Sequence, residues 1–566
     1  MKKKLFYRSV CALSAAVMLI FSGCGDQSSS SAGSSESGAD SSASSAADSA
    51  AGGDDSSFTV VTSREREEIP APEVTETTGG FDLSEVQNKS DVPEDFEVSE
   101  EAEKCKLSGS AKTVDKEIFG KFTGDGYIAL GSGGDAFEFE AEFPADGSYD
   151  FVVRAASSNS NNENFITVDG EQTSTFIVNE KEFTDCVAEK VNVKKGKHKI
   201  GVQAKNGSFF VDSLKVTAAK PVDLTQFDVE KTLVNPDASD ETKRLYSFLC
   251  DVYGKYMISG QYAADNRGVE SPEFDEYNLK TGKYPAMMGL DLIEASPSRQ
   301  YHGSSPGLIV QTAKDWYDQN GIVTICWHWN APEDYLEVNG AAWWEGFYSD
   351  KTSFSLAKAL SGEDQKGYDY LIRDIDAIAM YLQELDDNHV PVLWRPLHEG
   401  GGDPKWNNPW FWWGSSGAEA YKELWKLMYD RLTNVHHCNN LIWVWNGQNV
   451  DYYPGDEYVD IVGYDSYPEV HGDHSPQKSL WDYTKGTPTK NKIVAMTENS
   501  SIPDPDSCFS EGIRWSFFCT WNGEFALKDY QLGSEHNDLD FFKKIVDHER
   551  VLTLDEMPDL KSWPMS

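Results

Sequence analysis

The chain has 566 residues, 39% hydrophobic and 12% aromatic, too long for one small module and long enough for a barrel with attachments. Its 93 acidic residues against 50 basic give a formal net charge of −43, which repels phosphate backbones and anionic headgroups and argues against nucleic acid as a partner. The 17 Trp, 25 Tyr and 28 Phe suit a protein that presents flat apolar faces to a neutral ligand such as a sugar ring.

Lys2, Lys3, Lys4 and Arg8 form a positive start, and 10–22 is an uncharged, largely apolar run too short to span a bilayer, the pattern of an export signal. It ends in Phe21-Ser22-Gly23-Cys24, which resembles a bacterial lipobox. That resemblance implies cleavage within 1–24, acylation of Cys24, and an extracellular lipoprotein held at the cell surface by its lipid alone. Ordinary secretion with cleavage elsewhere is the alternative. Residues 25–97 are first Ser, Ala, Gly and Asp, then Pro, Thr and many acids, a composition that buries too little apolar surface to fold and reads as a tether. Of nine cysteines, Cys11 lies in the signal and Cys24 at the acyl site. The remaining seven are an odd number without metal-type spacing, so no disulfide framework is implied; a Cys105–Cys186 bridge is left open.

Residues 98–218 read as an all-β unit. Phe137-Glu138-Phe139-Glu140, Tyr149 to Arg154, and Phe165 to Val168 are short β-prone runs separated by Gly, Asp and Asn clusters, as in a sandwich. In Glu101-Ala102-Glu103 a strand period puts both carboxylates on one face, where with Asp212 they would grip a hard cation or form a solvated acidic face. The Glu-x-Glu opening, Gly126-Tyr127, Asp146-Gly147-Ser148-Tyr149 and the closing Val211-Asp212-Ser213-Leu214 together resemble a carbohydrate-binding module of family 35 or its near relative, family 6. The resemblance implies a β-sandwich with a structural calcium at Glu101, Glu103 and Asp212. Tyr127, Arg154, Asn206 and Phe209 are candidate sugar contacts.

After a linker at 219–238, residues 239–566 alternate strands with helices. Candidate strands are 256–259, 286–290, 322–327, 390–394, 441–445, 460–463, 492–496 and 515–520, with amphipathic helices such as 308–319, 368–385 and 419–432 between them. Eight such units predict a (β/α)8 TIM barrel, so the whole is multidomain: an all-β sandwich followed by an α/β barrel. Reactive groups of such barrels gather at the carboxyl ends of the strands.

The fourth strand ends in Trp394-Arg395-Pro396-Leu397-His398-Glu399 and the seventh in Ala495-Met496-Thr497-Glu498. Two carboxylates so placed suit glycoside hydrolysis, one protonating the departing oxygen while the other attacks the anomeric carbon. The loop after Glu399 holds Trp406, Trp410, Phe411, Trp412 and Trp413, a candidate platform for sugar rings; Trp443 and Trp445, within a strand, are ambiguous.

Gly260-Gln261, Trp327-His328-Trp329, Arg395 to Glu399, Trp410 to Gly414, Gly463 to Tyr467, Thr497-Glu498 and Trp521-Asn522-Gly523 resemble, in order, glycoside hydrolase family 26. The resemblance implies a retaining mechanism with Glu399 as general acid/base and Glu498 as nucleophile. It also implies that His328 and His398 line the subsite of the reacting sugar, that Tyr467 hydrogen-bonds the nucleophile, and that Trp410 and Trp521 form sugar-contacting walls. The stretch 400–409 is longer than the family's usual bridge, which makes Trp406 a second candidate for the place of Trp410. The expected activity is an endo-β-1,4-mannanase acting on mannan-type hemicellulose as a monomer, without a cofactor for catalysis. β-1,3-Xylanase, mixed-linkage β-glucanase and a non-catalytic, lipid-anchored glycan-binding protein are the alternatives.

Overall fold

In the computed structural model the described residues are Leu83 and 92–565, apart from 132, 160, 206, 221, 339 and 407. The expected export signal, Cys24, most of the tether and Asn206 lie outside them. Packing into the first domain begins just before 98, where Val92 is buried and the Phe96 ring meets Tyr149 edge-on at 5.2 Å.

Two antiparallel sheets make the sandwich. One runs in the order Lys112–Val114, Tyr127–Leu130, Phe209–Ala218, Gly147–Ala156, Thr184–Val193, with Glu97–Glu101 also paired to Phe209–Ala218. The other runs Lys106–Ser108, Ala136–Phe143, Gly196–Ala204, Asn162–Val168, Glu171–Val178. Along Gly147–Ala156 the side chains of Tyr149, Phe151, Val153 and Ala155 are buried while those between them are half-buried, the two-residue alternation that fills the space between facing sheets.

Part of 219–238, expected as a linker, packs onto the barrel. Phe227 is buried with its ring 5.4 Å from Tyr253, and the Val234 N–H donates to the Asp460 carboxylate at 2.8 Å. Leu233 and Ala238 are buried with Phe227, and Val222, Leu224, Val229 and Val234 pack against the same core, so the segment is held by several apolar side chains together.

Eight parallel strands close the barrel: Gly260–Tyr262, Met287–Asp291, Ile322–Cys326, Val392–Arg395, Leu441–Trp445, Ile461–Ser466, Ile493–Asn499 and Phe518–Thr520. The first corrects the sequence reading. Met257–Ile258, expected to open the barrel, lies just below its closed ring, pairing with Val551–Leu552 and bridging Phe517, and the closing strand is Gly260–Tyr262. A Cβ at Gly260 would lie 2.5 Å from the Phe518 carbonyl oxygen, so the absence of a side chain lets the first and eighth strands meet. The helices follow the amphipathic pattern. In Gln365–Asp387, Leu371, Ile375, Ile378 and Leu382 are buried at spacings of three and four, and the Asp364 side chain caps the start by accepting the Gly367 N–H at 2.9 Å. Trp443 and Trp445 are core residues; Trp443 lies 5.8 Å from the Trp425 ring and 5.0 Å from Tyr429.

The sandwich is seated on helix Pro505–Glu511, which follows the seventh strand. Asn192 Nδ2 donates to Ser510 Oγ, and Lys190 Nζ donates to the Glu511 carbonyl at 3.4 Å. Burial at this junction pushes the Glu511 carboxyl up to about 7 and lowers the Lys190 ammonium. All seven described cysteines are free thiols, so Cys105 and Cys186 form no bridge.

Candidate active site

The fourth barrel strand ends at Arg395, and Pro396 turns the chain. Leu397 and Glu399 then adopt left-handed backbone conformations, φ 52° and 53°, and the Glu399 N–H donates to the Asn446 carbonyl at 3.0 Å. Space behind this turn is tight: a Cβ at Gly400 would lie 2.2 Å from the Tyr421 ring. The strained turn thus projects the Glu399 carboxyl over the barrel mouth. Glu399 is 5% exposed and accepts the Trp410 indole N–H at 2.7 Å. Its pKa is pushed well above the usual carboxylate range by burial first, then by the nearby charges of Asp465 and Glu498.

Glu498 lies within the seventh strand and is 6% exposed. Tyr467 O–H donates to one of its oxygens at 2.5 Å and Arg395 Nη2 to the other at 2.5 Å, so each oxygen meets a donor. Arg395 is wholly buried; its Nη1 donates to Asp465 at 2.7 Å and its Nη2 also reaches the Tyr262 hydroxyl at 2.9 Å. Asp465 in turn accepts from Thr497 Oγ1 at 2.7 Å. Burial pushes the Asp465 carboxyl up to about 7 against the opposing pull of Arg395. One oxygen from each of Glu399, Asp465 and Glu498 lies within 4.8 Å of the others. Proximity of that kind also suits a cation, but Arg395 supplies the positive charge here and Tyr467, Thr497 and Trp410 supply hydrogen-bond donors.

His328 and His398 stand beside this cluster. His328 Nδ1 is 2.6 Å from Asp291 Oδ2, and the two Nε2 atoms are 3.1 Å apart. One of the two Nε2 atoms donates to the other, and the tautomers decide which. His398 is held well below the usual imidazole range by burial, then by His328 and Arg395, and its buried Nδ1 makes no hydrogen bond within the protein. Trp521 lies over Tyr262 with centroids 4.5 Å apart and is 5.6 Å from His328.

From Trp521 a cleft of about 620 Å³ runs past Asp291 to Trp343 and Trp344. His302 stacks on Trp343 at 4.6 Å, and the buried Arg299 donates to the Trp344 carbonyl at 2.9 Å. Sequence reasoning missed this far wall, although the Trp343-Trp344 pair in a loop beyond the third strand was its available signal. It also gave no role to Arg395 and Asp465, which lay inside the quoted motifs; an arginine at the end of an apolar strand requires buried counter-charges.

The structure therefore gathers Glu399, Glu498, His328, His398, Trp410, Tyr467 and Trp521 at one mouth. Trp406 stands apart on the rim, 56% exposed with Lys405 Nζ 5.1 Å from its ring centre, and Trp410 is the residue bonded to the acid. Trp412 and Trp413, expected with them as a platform, are instead fully buried supports whose indole N–H groups donate to the Trp329 carbonyl at 2.6 Å and the His398 carbonyl at 2.9 Å.

In the sandwich, Glu101, Glu103 and Asp212 converge on one turn. Thr123 Oγ1 donates to Glu101 at 2.6 Å, Thr123 N–H to Asp212 at 2.9 Å, and Asp125 N–H to Glu103 at 3.0 Å. The pair is not one strand face as expected, because the strand ends at Glu101 and Glu103 sits in the 3-10 turn Ala102–Lys104. Two candidate sugar contacts, Tyr127 and Phe209, need correction. Tyr127 is buried among Phe119, Phe122, Phe183 and Phe210, Phe209 is buried against Phe176, and Arg154 Nε donates to Asp212 at 2.9 Å. Strand parity turns Phe209 into the space between the sheets, whereas Tyr127 faces the other side of its sheet and is covered by Phe119, Phe122 and Phe183; Arg154, paired with Asp212, keeps its side chain 34% exposed.

Residues 234–556 match glycosyl hydrolase family 26, and 98–219 match carbohydrate binding module family 35, which decides between families 35 and 6. A mannan endo-1,4-β-mannosidase of Thermothelomyces thermophilus is 36% identical over 81% of this chain and 90% of its own. Mannan endo-1,4-β-mannosidase A of a Piromyces species is 35% identical over 81% and 72%. The crystal structure of a Podospora anserina GH26-CBM35 β-(1,4)-mannanase superposes with a TM-score of 0.65 at 33% identity, over 82% of this chain and 99% of that one.

Proposed function

Because the chain belongs to glycosyl hydrolase family 26, and is thus a glycoside hydrolase, we propose that it is an endo-β-1,4-mannanase that cuts by retaining double displacement. The relatives named above act on mannan, which favours that substrate over β-1,3-xylan and mixed-linkage glucan. One observation carries the mechanism: Glu399 and Glu498 present oxygens within 4.8 Å of each other. Retaining enzymes space their carboxyl groups about 5–5.5 Å apart, whereas inverting ones leave about 6.5–9.5 Å for a water.

In the first step Glu399, kept protonated by its burial, gives its proton to the departing glycosidic oxygen while Glu498 attacks the anomeric carbon. Tyr467 and Arg395 hold the attacking carboxylate in line. Once Glu498 is esterified its charge is gone, so the Glu399 pKa falls and the same group takes a proton from water in the second step. His398 Nδ1, which has no hydrogen-bond partner within the protein, is placed to hydrogen-bond a hydroxyl of the bound sugar, and Trp521 and Trp410 wall the ring.

In the sandwich we infer a structural calcium at Glu101, Glu103 and Asp212 from their hard carboxylate oxygens and from the buried Glu103 Oε2, which has no hydrogen bond within the protein; Asp212 also accepts from Arg154 and Thr123. The ion would join strand end to turn and take no part in hydrolysis. We also infer that the sandwich binds mannan-type polysaccharide, that the protein acts as a monomer because one barrel supplies the whole site, and that an acyl group on Cys24 holds it at the cell surface. Radiolabelled palmitate incorporation, lost in Cys24→Ser, tests the anchor. The activity test is NMR of fresh products from mannopentaose, with the β-anomer expected first; first appearance of the α-anomer, or release from β-1,3-xylan and not from mannan, would overturn the reading.

A further inference from the structure

Beside His328 stands a thiol to which hydrolysis gives no part. Asp291 ends the second barrel strand and Cys326 the third, and the two are Cα partners in the parallel ladder, so their side chains project to the same face of the sheet. His328 lies two positions beyond Cys326, and its N–H donates to Asp291 Oδ1 at 3.1 Å. One ligand atom from each of Asp291, Cys326 and His328 lies within 4.8 Å of the other two.

The carboxylate holds one oxygen still and offers the other. Asp291 Oδ1 accepts the Ile293 and His328 N–H groups at 2.9 and 3.1 Å, which turns Oδ2 toward His328 Nδ1, 2.6 Å away. Cys326 is a fully buried free thiol. Burial pushes it well above the usual thiol range, Asp291 adds to the push and Arg395 opposes it, so the ion-free protein keeps it protonated. Asp291 also lines the cleft of about 620 Å³, and the group is therefore reached from solvent without opening the fold.

One sulfur, one imidazole nitrogen and one carboxylate oxygen form the mixed set that tetrahedral ions of the zinc group take. The soft sulfur selects such ions over magnesium or calcium, which prefer oxygen alone. Three protein donors leave a fourth position for water on the cleft side. The neighbouring carboxylates differ in this respect. Arg395 already supplies the positive charge to Asp465 and Glu498, whereas among the described residues Asp291 pairs with His328 and with no Lys or Arg.

We propose that Asp291, Cys326 and His328 form an inhibitory site for a soft divalent cation of the zinc and cadmium type, entered from the cleft. On binding, the Cys326 thiol releases its proton to water, the three donors close on the ion, and the ion with its water fills the place beside His398 where the reacting sugar would lie. Mannan and the ion then exclude each other. The inference rests on the mannanase reading for its activity readout alone.

The probe is cadmium chloride added to the full chain. A thiolate-to-cadmium ultraviolet band should appear, and X-ray absorption should show one sulfur among nitrogen and oxygen ligands. At about ten times its Kd the ion should raise the apparent KM for mannohexaose roughly tenfold at constant kcat. Cys326→Ser and Cys326→Ala should keep the ion-free kcat/KM within about twofold, lose the band and weaken inhibition about tenfold or more. Inhibition by magnesium equal to that by cadmium, inhibition unchanged in either variant, or an X-ray spectrum without sulfur would overturn the site; a Cys326-dependent band with no rise in KM would overturn its inhibitory role. If the unaltered chain binds cadmium through Cys326 yet leaves mannohexaose intact without the ion, the mannanase reading fails and the metal site stands.

Discussion

Replacing Trp410 by Phe removes one hydrogen bond and keeps a ring. The indole N–H, 2.7 Å from Glu399 Oε2, binds a carboxylate more strongly than a carboxylic acid, so it lowers the Glu399 pKa and partly offsets the upward push of burial, Asp465 and Glu498. Hydrogen bonds to charged groups contribute about 1.5–3 kcal/mol. Some of that survives in the protonated acid, leaving a difference of roughly 1.4 kcal/mol, or one pKa unit. Loss of the bond therefore raises the pKa. Because the acid must be protonated to act, the alkaline limb of kcat/KM moves up by about one pH unit. Initial rates on mannohexaose across about pH 5 to 10 read this directly, and any lost sugar contact scales the curve without moving its limb. A limb that stays in place or moves down would refute the assignment of Glu399 as the proton donor or of Trp410 as its tuner.

Tyr467→Phe removes a donor from the nucleophile and should lower kcat about 10- to 100-fold with little change in KM; pre-steady-state release of the leaving group should slow in parallel. Arg395→Met leaves Asp465 and Glu498 as buried carboxylates without their counter-charge and should cost about 3–5 kcal/mol of stability, read by urea unfolding at neutral pH. With Arg395 pulling it down, the Asp465 carboxyl stands at about 7; losing Arg395 raises it further, so the deficit should be largest above about pH 7 and shrink as pH falls toward it, and a deficit constant across that range contradicts the network. Chelation of calcium should lower the melting temperature of the sandwich by several degrees, and Glu103→Gln should reproduce the shift and abolish the response to chelator.

Seven of the eight barrel strands were legible because each is an apolar run that stops at a polar residue, and strand ends are where barrels do chemistry. That logic reached Glu399 and Glu498 directly. It missed Gly260–Tyr262 because closure there depends on a glycine beside the Phe518 carbonyl and not on hydrophobicity. It could not see that Arg395 joins Tyr262, Asp465 and Glu498, since those partners lie 70 or more positions away and share no local pattern. Aromatic residues misled for a related reason. Trp412 and Trp413 sit in the same loop as Trp410, but which ring faces outward is set by contacts with Trp329 and His398. Pairing in the sheet turns Phe209 inward, and Tyr127, on the other face, is buried by the distant rings of Phe119, Phe122 and Phe183. In the 219–238 segment Phe227, Leu233 and Ala238 are buried at irregular spacings, so no helix or strand period registers.

The seating of the sandwich on helix Pro505–Glu511 gives the two domains a shared frame in place of a swivel. A polymer held by one unit is then offered to the other at a distance and heading fixed by bonded protein, not by the statistics of a loose connector, whose effective concentration falls as it lengthens. Loosening the junction would leave cleavage of short soluble chains intact while squandering the alignment that matters on a solid fibre.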